Sequence, residues 1–141
     1  MGVIPYVSAV AALSGLGLAW YFSVVVNRAD EGTEVMKELA HAIREGAQAF
    51  LRREYQWVAV FVAIMTLLIA VVLDYGAPWG AVAYLMGAVF SAIAGVVGMQ
   101  IATAANVRTA NAARDGAAKA LPLAFKGGAV MGFTVAGMGL L

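Results

Sequence analysis

Polar and apolar positions fall into long alternating blocks along this chain. Residues 3–26 carry no charged side chain, 28–54 are dense with them, and 55–73 are again uncharged. After a turn-rich stretch at 74–80, residues 81–107 and 127–141 are apolar, with a basic segment at 108–126 between them. A helix rises about 1.5 Å per residue, so an uncharged run of about twenty residues can cross a hydrocarbon core of about 30 Å. The pattern predicts an all-α, polytopic membrane helical bundle. Residues 3–26, 55–73 and 81–107 are expected as complete transmembrane helices. The run 127–141 reaches only about 22 Å and is expected as a truncated fourth.

The charged block between the first two runs has its own periodicity. Met36, Leu39, Ala40, Ile43, Ala47, Phe50 and Leu51 recur at spacings of three and four, which predicts an amphipathic helix leading into the second span. Asp30 or Thr33 is a candidate cap, and Glu31 and Glu34 suit the positive end of the helix dipole. Its polar face mixes both signs of charge, so it reads as a connector packed on other cytoplasmic loops. A lipid-surface anchor would be predominantly basic. His41 is most simply a solvated residue of this helix.

Within the apolar runs, small side chains recur every four residues. The ladders are Ala11, Gly15, Ala19; Gly87, Ser91, Gly95; Ala94, Gly98, Ala102; and Gly128, Gly132, Ala136. Such ladders let neighbouring helices approach closely. Tyr55 and Trp57 before the second run, and Tyr75 and Trp79 after it, fit aromatic belts at the two bilayer surfaces.

Charge placement then orients the chain. The block 28–54 holds Arg28, Lys37, Arg44, Arg52 and Arg53, the hairpin 74–80 holds no Lys or Arg, and 108–126 holds Arg108, Arg114, Lys119 and Lys126. Cytoplasmic loops concentrate Lys and Arg. Loops 28–54 and 108–126 are therefore expected to be cytoplasmic, with the N-terminus and the hairpin outside. A signal peptide fits residues 3–26 less well, because no basic residue precedes the run and it exceeds the usual 7–15-residue core.

Composition agrees with a membrane chain: 63% of the 141 residues are hydrophobic and 12% charged, where a soluble domain carries roughly 25% charged residues. The absence of cysteine excludes disulfides and thiolate metal sites, and one histidine excludes a His-rich metal cluster. No apolar run contains Asp, Glu, Lys, Arg or His, the residues through which ion-translocating helices usually work. The aspartates Asp30, Asp74 and Asp115 are scattered, and neither Lys119 nor Lys126 sits in a phosphate-cradling glycine loop. No catalytic, cofactor-binding or metal-binding residue is expected in these 141 positions.

Three segments nevertheless carry a resemblance. IATAANVRTANAAR and AFKGGAVMGF, within residues 98–141, are similar to the corresponding stretches of membrane-bound, ion-translocating inorganic pyrophosphatases. EGAQAFLRREY, residues 45–55, resembles that family's segment before its second span. The resemblance implies an N-terminal fragment of a much longer, homodimeric, multi-pass pump that couples hydrolysis of pyrophosphate to proton or sodium transport. It implies magnesium bound by aspartate-rich motifs on later helices, outside this chain. The partners it implies are the rest of the subunit, a second subunit and the lipid bilayer of a prokaryotic cell or an acidic organelle, with no nucleic acid. The complete protein is then a hydrolase and translocase, and the 141 residues alone are expected to be inactive. The alternative is a small self-contained membrane scaffold or oligomer-forming protein without enzyme activity.

Overall fold

A computed structural model describes residues 3–72 and 78–141. They form four helices in the order α1 Ile4–Arg28, α2 Glu34–Val72, α3 Trp79–Ala113 and α4 Ala117–Leu140. All four are long and apolar enough to cross a membrane. Leu73 and most of the expected hairpin 74–80 lie outside the described residues.

The α1–α2 corner is built by local chemistry. Pro5 stands in the first turn of α1, where its missing N–H leaves no bond unmade. The helix stops at Ala29, whose extended backbone (φ −72°, ψ 148°) turns the chain away. Asp30 Oδ1 then accepts from Gly32 N at 3.0 Å. Gly32 takes φ +89°, a conformation open to glycine and costly for side-chain-bearing residues. Of the two candidate caps, Thr33 performs the role: its hydroxyl faces Met36 N at 3.4 Å and its carbonyl accepts from Lys37 N at 3.0 Å. Asp30 instead shapes the turn.

The amphipathic helix and the second span are one continuous element. The 39 residues of α2 run about 58 Å, because no proline and only Gly46 interrupt them. The basic segment 108–126 is likewise mostly helical. It continues α3 to Ala113, turns at 114–116, and resumes as α4. Gly116 makes that turn at φ +114°. The fourth helix thus has 24 residues, longer than its apolar run, because it begins at Ala117 and takes Pro122 into its second turn. That proline removes one backbone hydrogen bond and is tolerated near the start of the helix.

Helix α4 packs against both α1 and α3, while α2 lies on the other side of α3. The core is Ala19, Val26, Ile101, Ala105 and Val130, flanked by Phe22, Val97, Leu123 and Phe133. Glycine sets the spacing between these helices. A Cβ placed on Gly98 would lie 2.8 Å from Met131 Cγ, and one on Gly137 would lie 2.8 Å from Leu16 Cγ. The expected ladder Gly128, Gly132, Ala136 is exposed, with open space beside both glycines. The face that packs runs through Ala120, Gly127, Val130, Thr134 and Gly137, at spacings of three, four and seven. Small residues occur on both faces of α4, and within these residues α1 and α3 pack on the Gly127–Gly137 face while the Gly128 ladder stays exposed.

Candidate functional site

The one densely polar, buried arrangement among the described residues lies at the α1–α2 corner and centres on Arg108. This residue sits in the last turns of α3, and only 10% of its side chain is exposed. Its Nε donates to Ala29 O at 3.0 Å and Nη1 to Ala104 O at 2.8 Å. Its Nη2 lies 3.4 Å from Asn27 O and 3.1 Å from Glu31 Oε1. The acceptors Asn27 and Ala29 belong to the end of α1, where backbone carbonyls lack helical partners and the dipole is negative. A guanidinium meets that need with a fixed fork of donors.

Glu31 is the second member. Arg44, eleven residues into α2, hydrogen-bonds the same carboxylate oxygen. The Arg44 hydrogen bond, and the charge of Arg108 behind it, hold the Glu31 carboxyl below its ordinary value of 4.5. Asn111, one turn beyond Arg108, places its amide 3.4 Å from Asp30 O, and its side chain also fills the space that a Cβ on Gly32 would enter. One acid and two bases therefore bind α1, α2 and α3 together at one end of the bundle.

This cluster is a latch by its chemistry. The Arg108 donors are committed to backbone and to Glu31, and Glu31 is committed to two arginines. Asp115 is paired with exposed Lys119 at 2.9 Å, which lowers its carboxyl from the ordinary 3.8. Among the described residues, no three His, Cys, Asp or Glu side chains gather where they could hold a metal ion. The described acidic residues do not gather as a magnesium site requires.

The remaining concavities are apolar or mixed. A groove of about 650 Å³ runs between α3 and α4 past Met86, Gly87, Phe90, Val135 and Met138. Two clefts of about 230 Å³ each separate α2 from α3, one lined in part by Arg44, Gln48, Gln100 and Thr103. Across this interface Tyr55 Oη donates to Ala92 O at 2.9 Å. One residue past the latch, Thr109 Oγ1 is buried without a hydrogen-bond partner. By its place after the apolar run Arg108 reads as a loop cation that signals topology, whereas it lies within α3. The clue to its place is that Arg108 continues the small-residue helical run through Ala104 and Ala105.

Comparison with known proteins extends beyond these contacts. The family described as "Inorganic H+ pyrophosphatase" matches residues 13–141. The chain is 46% identical over 136 residues to a K(+)-insensitive pyrophosphate-energized proton pump of Methanosarcina mazei, covering 96% of this chain and 20% of that protein. It is 48% identical over 133 residues to a K(+)-stimulated pyrophosphate-energized sodium pump of Thermotoga maritima, covering 92% and 18%. A K(+)-insensitive pyrophosphate-energized proton pump of Pyrobaculum aerophilum is 38% identical over 149 residues, covering 100% of this chain and 20% of that protein. The chain spans about a fifth of the length of the curated relatives it matches.

Proposed function

The chain belongs to the inorganic H+ pyrophosphatase family, and from that premise we propose that it supplies supporting helices of a pyrophosphate-energised ion pump. In this reading its helices hold neighbouring helices in place, and its latch fixes the corner between α1 and α2. Hydrolysis of pyrophosphate, magnesium binding and the ion gate belong to residues outside these 141 positions, as does the choice between proton and sodium. The observation that carries the reading is the family match over 13–141 joined to coverage of a fifth of the relatives' length.

The same proposal makes the complete protein a homodimer in a prokaryotic cell membrane or an acidic organelle membrane. The N-terminus and the hairpin then lie outside, and the segments 28–54 and 108–126 face the cytoplasm, following the placement of Lys and Arg. The test is enzymatic. The purified 141-residue chain, reconstituted in lipid with magnesium and pyrophosphate, is expected to release no phosphate above a protein-free control. Magnesium-dependent hydrolysis by this chain alone would refute the assignment of the chemistry to other residues.

A further inference from the structure

The apolar stretches of α1 and α2 do not lie at one depth. Two ties to α3 set their relative heights: Arg108 to Ala29, beside the end of α1, and Tyr55 to Ala92, where the apolar stretch of α2 begins. Ala92 and Arg108 are about 24 Å apart along α3 at 1.5 Å per residue. From Ile4 to Arg28, α1 is about 36 Å long. It therefore overlaps the apolar stretch of α2 over only about 12 Å, and the rest of α1 runs level with the charged half of α2. A hydrocarbon core of about 30 Å cannot contain both stretches whole.

Burial along α2 follows the same division. None of the most apolar 18-residue window of α2 is buried. Val26, Ala40, Ala104, Ala105, Arg108, Ala120 and Gly127 are all buried, and all lie toward the latch. Burial also runs outward along α1, α3 and α4, through Ala12, Ala94, Gly98 and Gly137, so it is α2 whose outer part is left with an unpacked surface.

We propose that the bilayer surface on the basic side crosses the bundle at Trp20, Gln48 and Gln100. Counting along each helix, these residues lie about 12–14 Å outward of the Arg108 tie. Gln48 and Gln100 line one cleft, and Trp20 lines another with Val97 and Val130, so the three helices are in register there. Trp20 is 73% exposed, as an interfacial tryptophan should be. Arg52, Arg53 and Glu54 begin about 6–9 Å deeper by the same count. Side chains lean toward the N-terminus of their helix, so the two long cationic chains reach back to the headgroups, and Glu54 is the deepest charge the boundary has to accommodate. Residues 21–28, 34–47, 101–113 and 117–130 then form a block about 20 Å tall that stands clear of hydrocarbon. The apolar run of each helix is accordingly different from its lipid-contacting part.

The chain lacks cysteine, so single cysteines can carry a nitroxide without background. The probes are Ser23→Cys and Ala102→Cys inside the proposed block, and Leu13→Cys and Ile64→Cys in the proposed hydrocarbon zone, in chain reconstituted in phosphatidylcholine vesicles. Collision with an aqueous nickel complex is expected to be several-fold greater at residues 23 and 102 than at 13 and 64, with oxygen collision ranked the other way. Nickel access at 23 and 102 as low as at 64 overturns the boundary, and so does aqueous access at 13. An independent readout uses single-tryptophan variants with the other two tryptophans changed to Phe. Lipids brominated near the chain end should quench Trp57 strongly and Trp20 weakly, and equal quenching counts against the proposal.

Discussion

Gly127 on α4 faces Ala105 on α3 with no room between them for a methyl group: a Cβ on the glycine would lie 2.6 Å from Ala105 Cβ. Both residues are buried, so neither can yield toward solvent. Gly127→Ala is expected to wedge α3 from α4 and to destabilise the bundle by about 1–3 kcal/mol, the usual cost of overpacking. Gly128→Ala, one residue away with nothing within 4 Å, should be neutral or mildly stabilising. Helix unfolding followed by circular dichroism in mixed micelles compares the two. Equal losses would show that the α3–α4 contact is not limited by space.

Arg108 supports a second expectation. Arg108→Met strips donors from the end of α1 and leaves Glu31 with Arg44 alone. Glu31 is partly exposed and stays paired, so the cost is chiefly that of the carbonyls left unmet, about 1–3 kcal/mol. Arg108→Lys should recover only a minor part, since one ammonium cannot reproduce the guanidinium fork. Protease cleavage in the 29–33 corner reports the latch directly. It should accelerate in both variants, more in Met than in Lys, and an unchanged rate would mean the corner holds without Arg108.

Acid should open the latch from the Glu31 side. The folded carboxyl sits below 4.5, because Arg44 hydrogen-bonds it and Arg108 and Lys37 add positive charge. A lowered folded value means the contribution is fully present above about pH 4.5 and is lost as pH falls through the folded value. The stability difference between wild type and Glu31→Gln should therefore be constant from pH 7 to 5 and shrink below pH 4.5. A difference that stays flat to pH 3 would contradict the coupling.

Tyr55 and Gly95 should behave as a coupled pair. Tyr55→Phe removes the bond to Ala92 O and should cost about 1 kcal/mol. Gly95→Ala places a methyl group against the Tyr55 hydroxyl and should cost more in wild type than in the Phe background. The four-variant cycle, measured by thermal unfolding, gives the coupling. Strict additivity would remove the hydroxyl as the source of the clash.

Much of this architecture was legible in the chain, because the information lies in long-period features. Uncharged runs near twenty residues announced the membrane helices, and the absence of a breaker between Leu51 and Tyr55 is what joins the amphipathic segment to the second span. Finer features depend on tertiary neighbours. The inward face of α4 passes through Gly127 and Gly137 rather than Gly128 and Gly132, and both sets satisfy a small-residue pattern. Arg108 looked like a loop cation because the apolar run ends at Val107. Its burial depends on carbonyls at Asn27 and Ala29, roughly eighty positions earlier, which no local pattern encodes. The resemblance in 98–141 and 45–55 reached the family that the comparisons show.

The uninterrupted length of α2 has a mechanical side. A helix of about 58 Å without an internal joint cannot absorb a displacement of one end by folding; it passes the displacement on. The Tyr55–Ala92 bond fastens it near the middle, with arms of about 31 Å toward Glu34 and about 26 Å toward Val72. Arg44 ties the charged arm at the latch as well, so it is the arm from Tyr55 to Val72, without a polar tie to α3 among the described residues, that is left to swing.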